Sequence, residues 1–439
     1  LIWHPMTIQR SENSLIRIER GEGEFIYTDK GAKIIDAISS WWTVIHGHNH
    51  PHIMDAIRKQ TSELDHVIFA GFTHPKAELL ARKILNSTKL NNEFSFSKVF
   101  FSDNGSNAIE IALKIALQFF RNRNKKTDHK RKSFVRFSLS YHGDSIGAMS
   151  VGGDSVFTRI FRDLAFPTKE FQSPNCVRCP YQLKPESCST ECLDDFRKSM
   201  EQVSEDIVAV ILEPLVSGAN GMVFHSDRYL REVRRITQDY GILLILDEVF
   251  TGMYRTGSWY AFQKATIKPD IVCLAKGLTG GTLPLALTLT TDEIYSEFDS
   301  PDPNKAFFHG HTMSGNPLAC AAAIASMEIL EESGANQVKS LETKLNLFGN
   351  NLLKRLGDRI RDFRVLGAIA AFEVEVELGR DEYLNPVGAK IRKACLDNGV
   401  LIRPLGNTVY ITPPYNIAEQ SLETVFTVLT NVLEKEFTH

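Results

Sequence analysis

The feature that most constrains this chain is a set of short apolar runs, each leading to one polar side chain and separated by stretches of helical periodicity. Residues 208–212 run into Glu213, 242–246 into Asp247, and 271–274 lead through Ala275 to Lys276. Unbroken runs of this length fit strands buried on both faces, and the spacing between them leaves room for a covering helix. With 99–101, 134–137 and 285–290 they predict an α/β fold, a mostly parallel sheet layered by helices. Ile111, Ala112, Ile115 and Phe119 recur at helical spacing after the first of these strands. In an open parallel sheet, ligands bind beyond the carboxyl ends of the strands. Tyr141, soon after strand 134–137, would therefore share one sheet edge with Glu213, Asp247 and Lys276.

From about Met313 the pattern changes. An alanine-rich helix over 317–332 leads into antiparallel-looking strands near 363–376 and 400–412. These residues, 316–439, read as a smaller α+β domain, with 1–50 and its strand at 25–28 packed beside it and 51–315 as the large domain. The polar, basic stretch 121–132 reads as a solvated loop. Fifty basic against 53 acidic residues, net −3, give no electrostatic reason to expect nucleic acid or a membrane surface as partner. The apolar stretch 318–330 falls short of the ~20 residues that span a bilayer. The first residues, Leu-Ile-Trp-His-Pro, carry no basic region followed by an apolar run, so no secretory signal is expected there. The first residue is not Met, which leaves room for residues upstream. A cytoplasmic location is expected.

The polar strand ends carry the chemistry. A lysine closing an apolar strand in CLAKGLTGG (273–281) would be partly desolvated, which lowers its pKa and makes its amine a nucleophile for Schiff-base formation. It could equally snorkel to solvent. Asp247 in LLILDEVFTG (243–252) could pair with a protonated pyridine nitrogen, with Val249 against the ring face; it could also merely cap a turn. Residues 103–116 read as a polar glycine turn opening a helix. The helix start and Ser106 suit a phosphate, as they would suit an ordinary capped turn. Tyr141 offers an aromatic face. Singly these are weak; in this order they are specific.

At this point the chain resembles the class III, fold-type I aminotransferases, which depend on pyridoxal 5′-phosphate (PLP). The matching residues are Gly105-Ser106, Tyr141-His142-Gly143, Glu213-Pro214, Asp247-Glu248-Val249 and Lys276-Gly277. The resemblance implies a seven-stranded, mostly parallel sheet in the large domain. It implies Lys276 as the lysine that bonds PLP, Asp247 on the pyridine nitrogen, Gly105 and Ser106 on the phosphate, and Tyr141 on the ring. It further implies a homodimer in which residues around Gly310, His311 and Thr312 reach the partner's phosphate. WHPMT (3–7), SSWWTVIHGHNHP (39–51), HVIFAGFTH (66–74), LTGGTLPLA (278–286) and IRPLGNTVYITPPY (402–415) are similar to the branch of the family that works in biotin synthesis. That similarity implies 8-amino-7-oxononanoate as acceptor, S-adenosylmethionine or lysine as donor, and Trp41, Tyr141, Gly310 and Arg403 as substrate contacts. Arg403 can hold a carboxylate bidentately, while Trp41 and Tyr141 can enclose an aliphatic chain. Met6 departs from the family's tyrosine and loses a hydroxyl. Another class III ω-amino acid aminotransferase is the alternative reading, and a non-catalytic PLP-binding regulator a third.

Two further patterns stand apart. His46, His48, His50 and His52 alternate, but Gly47 and Pro51 favour a turn over a metal tract. Cys176, Cys179, Cys188 and Cys192 spell C-x₂-C-x₈-C-x₃-C, which fits either a structural zinc or free packing cysteines; the PLP chemistry needs no metal.

Overall fold

A computed structural model describes residues 1–8, 15–93, 95–184, 187–375 and 385–436. At its centre lies a seven-stranded sheet in the order Lys98–Ser102, Ala286–Thr290, Ile271–Leu274, Leu243–Asp247, Ile207–Leu212, Ser133–Phe137 and Lys169–Phe171. Only Ala286–Thr290 runs antiparallel to its neighbours. All six strands read from the apolar runs are present, none shifted at either end by more than a residue. The seventh, Lys169–Phe171, is a three-residue edge strand with no apolar run to betray it.

The period-two geometry of a strand divides these runs between the two faces. Val210, Leu212, Leu244 and Leu246 enter one buried cluster; Ala209, Ile211, Leu243 and Ile245 enter the other. The helix Gly105–Arg123 covers the second face with Ala108, Ile111, Ala112, Ile115 and Phe119. Each fully buried Leu or Ile contributes roughly 1.5–3 kcal/mol, so burial of both faces holds the strand ends in place. A charge at Ile245 would break this layer, since neither face offers water.

The alanine-rich helix Pro317–Ile329 is buried around nearly its whole circumference. Ala319 and Ala323 join the main cluster, while Ala322 and Ala325 meet Ile53. It does not stop near residue 332. A π turn, Leu330–Gly334, passes it into the helix Ala335–Leu356. Beyond it, Ile360–Leu366, Ile369–Val374 and Thr408–Ile411 form an antiparallel sheet. The expected strand 363–376 is thus a hairpin folded at Gly367, whose φ is +57° and where a Cβ would lie 2.5 Å from the Thr256 carbonyl carbon. Val376 lies outside the described residues. The expected strand 400–412 is divided between two sheets: Val400–Leu401 pairs in parallel with Lys33–Asp36, so both ends of the chain contribute to one four-stranded sheet.

The stretch 121–132 is only in part the solvated loop expected: residues 124–127, 129, 130 and 132 are exposed. Its first three residues complete the helix Gly105–Arg123, and Arg123 clamps Asp128 through two 2.7 Å hydrogen bonds. Asp128 and Arg131 are buried, because charges that find partners can leave water. No helix among the described residues is long and apolar enough to cross a membrane.

Candidate active site

The ends of the central strands open on a cavity of about 490 Å³. Tyr141, Glu213, Asp247 and Lys276 all line it, as do Gly105, Ser106 and Val249. Asp247 ends its strand buried, and two hydrogen bonds orient it. His142 Nδ1 lies 2.7 Å from Oδ2, and the Val249 N–H donates to Oδ1 at 3.0 Å. Lys276 follows its strand in a left-handed backbone conformation, φ +44°, which turns the chain away from the sheet. Burial lowers the pKa of its amine; Asp247 and Glu213 oppose that, and Arg255 adds to it. Its Nζ sits 4.9 Å from the centroid of the Trp42 ring.

One wall is the start of the helix Gly105–Arg123. Asn104 caps it, accepting from the Asn107 N–H at 3.0 Å, and the first turn presents the positive end of the helix to the cavity. A Cβ on Gly105 would come within 2.9 Å of Val249 Cγ1, so this glycine lets the two walls close. Gly143, with φ +125°, lets the Tyr141 loop descend onto Ser106; a Cβ there would lie 2.0 Å from Ser106 Oγ. Ser106 Oγ then accepts from the Asp144 N–H at 3.3 Å, and the Tyr141 hydroxyl donates to Asp144 at 3.0 Å. Burial, followed by Asp144, raises the phenol pKa, so the hydroxyl keeps its proton.

Glu213 had no assigned role in the sequence, although it ends its strand like the others. Its carboxyl accepts from the Tyr141 N–H at 3.1 Å and the Gly218 N–H at 2.9 Å. Burial pushes its pKa up to about 7. Glu248, one residue beyond Asp247, points away and caps the short helix Ala261–Lys264 through the Ala261 and Phe262 N–H groups at 3.0 and 2.9 Å. Burial pushes it to about 7 as well.

The remaining expected residues lie apart from this cavity. Trp42 lines it, whereas Trp41 is 37% exposed and faces Arg403, whose guanidinium carbon sits 4.6 Å from the ring centroid. Arg403 Nη2 donates to the Met6 carbonyl at 3.0 Å, which brings the amino-terminal segment to the same place. Ser39, Ser40, Trp41 and Trp42 all have positive φ, a left-handed turn that costs roughly 1–2 kcal/mol per residue. Gly310 and Thr312 are exposed, and His311 Nδ1 lies 3.2 Å from Asp103. Apart from repeated tryptophans, no sequence signal separates Trp42 from Trp41, since which one faces inward depends on that left-handed turn. Thr279 and the loop Gly281–Leu285 also line the cavity and carried no chemical signature.

The histidine tract disperses: His46 bonds Ser326 at 2.9 Å, His48 bonds Asp36 at 2.9 Å, and His52 bonds Glu328 at 2.8 Å. Burial pushes His46 down to about 3, and Pro51 begins the helix Pro51–Thr61. All seven cysteines are unbridged, and no group of three metal-ligating side chains occurs among the described residues. Cys192 packs on the main core, and burial beside the other thiols pushes it up to about 12.

With this geometry in view, three similarities bear on the chain. It is 40% identical over 436 residues to an adenosylmethionine-8-amino-7-oxononanoate aminotransferase of Synechococcus elongatus, covering 99% of this chain and 98% of that one. The crystal structure of the Methanocaldococcus jannaschii enzyme of the same name superposes with a TM-score of 0.87 at 34% identity, over 99% of this chain and 97% of that one. A PLP-bound amine transaminase from an uncultivated Pseudomonas species superposes with a TM-score of 0.88 at 29% identity, over 99% and 98%. The family model for class-III aminotransferases matches residues 7–433, and the chain belongs to that family of enzymes.

Proposed function

We propose that this chain is the aminotransferase of biotin synthesis that converts 8-amino-7-oxononanoate to 7,8-diaminononanoate, with PLP bonded to Lys276. The observation that carries this reading is the meeting of Lys276 and Asp247 across one cavity, in a chain 40% identical over nearly its full length to an enzyme of that name. The residues present fit PLP. A buried amine, an oriented carboxylate, the start of a 19-residue helix and an aromatic side chain face one space. When bound, PLP supplies an electron sink for the carbon that loses its proton. Asp247, held by His142 and the Val249 N–H, offers its carboxylate to the ring nitrogen. Gly105 and Ser106 receive the phosphate, and Val249 and Tyr141 bound the ring. Once the donor's amine takes its place on PLP, the freed Lys276 Nζ, whose burial favours the neutral amine, would take the proton from the donor's carbon and return it as general acid. Arg403 grips the acceptor's carboxylate at the outer end.

We further propose a cytoplasmic homodimer, with residues 51–315 as the large domain and 1–50 and 316–439 as the small one. The strand pairing between Val400–Leu401 and Lys33–Asp36 supports that division. Phe308 (86% exposed) and the exposed Ile68, Phe72 and Met313 support a second copy seated there, with Gly310, His311 and Thr312 carried to its phosphate site. Single half-reactions on the PLP-loaded protein test the reading. Conversion of 8-amino-7-oxononanoate by the aminated enzyme is expected, and S-adenosylmethionine and lysine are compared as donors. Turnover with ω-amino acids and pyruvate, without any on the oxononanoate, would assign the chain to the other branch.

A further inference from the structure

Two tryptophans adjacent in sequence serve opposite ends of the site. Trp42 faces Lys276 and Trp41 faces Arg403. Both stand on the left-handed turn Ser39–Trp42, a backbone that bulky side chains do not adopt unaided. Something must hold it, and Asp36 is placed to do so. Its carboxylate is fully buried and accepts three hydrogen bonds: from the Ile38 N–H at 3.2 Å, the Ser40 hydroxyl at 2.7 Å and His48 Nε2 at 2.9 Å. His48 is itself fixed, since its backbone pairs with Gly23 in both directions and Gly21 leaves room for its ring. On the other side of the turn, the Ser39 hydroxyl donates to the Thr412 carbonyl at 2.7 Å and Arg255 donates to the Trp42 carbonyl at 3.2 Å.

We infer that the Asp36–His48 pair is a positioning device for the aminotransferase site, holding the strained turn from which one indole is set against the reactive lysine and the next against the carboxylate-binding arginine. A single buried carboxylate thereby fixes the distance between the amine chemistry and the grip on the substrate's far end. It touches neither. This rests on the reading of Lys276 and Arg403 given above. Hydrogen bonds to the ionised form keep Asp36 below its ordinary range against the opposing effect of burial, so the acceptor persists at neutral pH.

Asp36→Asn tests it, because the amide replaces one acceptor oxygen with a donor that opposes the Ser40 and His48 protons. Ser40→Ala, at an exposed position, removes one bond and guards against a variant that fails to fold. Three measurements on the full chain are decisive. Near-ultraviolet circular dichroism before PLP is added should lose tryptophan signal. The pH midpoint of the visible absorbance of bound PLP should fall by about half a unit, because Trp42 no longer faces the cationic nitrogen. The KM for 8-amino-7-oxononanoate should rise about tenfold while kcat changes less than about threefold. Ser40→Ala should move all three the same way by less. A role in stability alone would lower the melting temperature and leave the midpoint and KM unchanged, and that result overturns the inference. Should the wild-type enzyme not use the oxononanoate, the functional reading falls, while the dichroism and the midpoint still decide the turn.

Discussion

The inner and outer ends of this site are built in different ways. At the inner end, Asp247, Glu213 and Lys276 each close a strand buried on both faces, and hydrogen bonds within the chain fix the two carboxyls. At the outer end, Trp41 is exposed, Gly310 and Thr312 face solvent, and Arg403 is held by the carbonyl of Met6 from the opposite terminus. One region is rigid because a sheet makes it so; the other is gathered from distant segments and, as proposed, from a second copy. The chemistry common to an enzyme class can sit on the first, while the choice of substrate is left to the second.

Substitutions at the two ends should separate sharply. Lys276→Ala should cost the largest effect, a loss of about 10³-fold or more in turnover together with the visible absorbance of bound PLP. Retention of both would put the reactive amine elsewhere. Asp247→Asn keeps the size of the side chain but loses the charge, and should lower kcat about 10²-fold with KM little changed. Rapid single-turnover kinetics would read it. At the outer end, Arg403→Ala should raise KM for the keto acid by roughly ten- to a hundredfold, the worth of a charge-assisted pair, with PLP retained. Normal binding of the keto acid by that variant would remove Arg403 from the outer end and weaken the contrast itself.

The same contrast governs what could be read from the sequence. The strand ends were legible because burial on both faces forces long apolar runs, and the residue that ends a run stands out. Glu213 was visible in that pattern, yet its bonds to the Tyr141 and Gly218 N–H groups come from segments far apart in the chain. Trp41 and Trp42 could not be told apart, because a left-handed turn reverses what strand or helix spacing would say of which one points inward. The alanine-rich helix was legible, but its passage through the π turn Leu330–Gly334 was not, since Glu and Ser there read as an end. Pairing hid the buried charges of 121–132, because composition alone counts Asp128 and Arg131 as solvated.

The smallest expected effect sharpens the account of the inner end. Glu213 has an ordinary pKa of 4.5 and about 7 in the fold, raised first by burial. A carboxyl whose pKa rises on folding favours the folded state while it holds its proton. That contribution is complete below pH 4.5 and fades as the pH climbs to about 7, where the folded group must ionise too. The difference spans at most about 3 kcal/mol, with the opposing pull of His142 already included in the value of about 7. Glu213→Gln cannot titrate, so its stability relative to wild type should improve between pH 4.5 and 7 and stay level above. Chemical denaturation at a series of pH values would show this. A constant difference across the range would mean that folding does not raise the pKa of Glu213, and that burial at the inner end is offset by its hydrogen bonds.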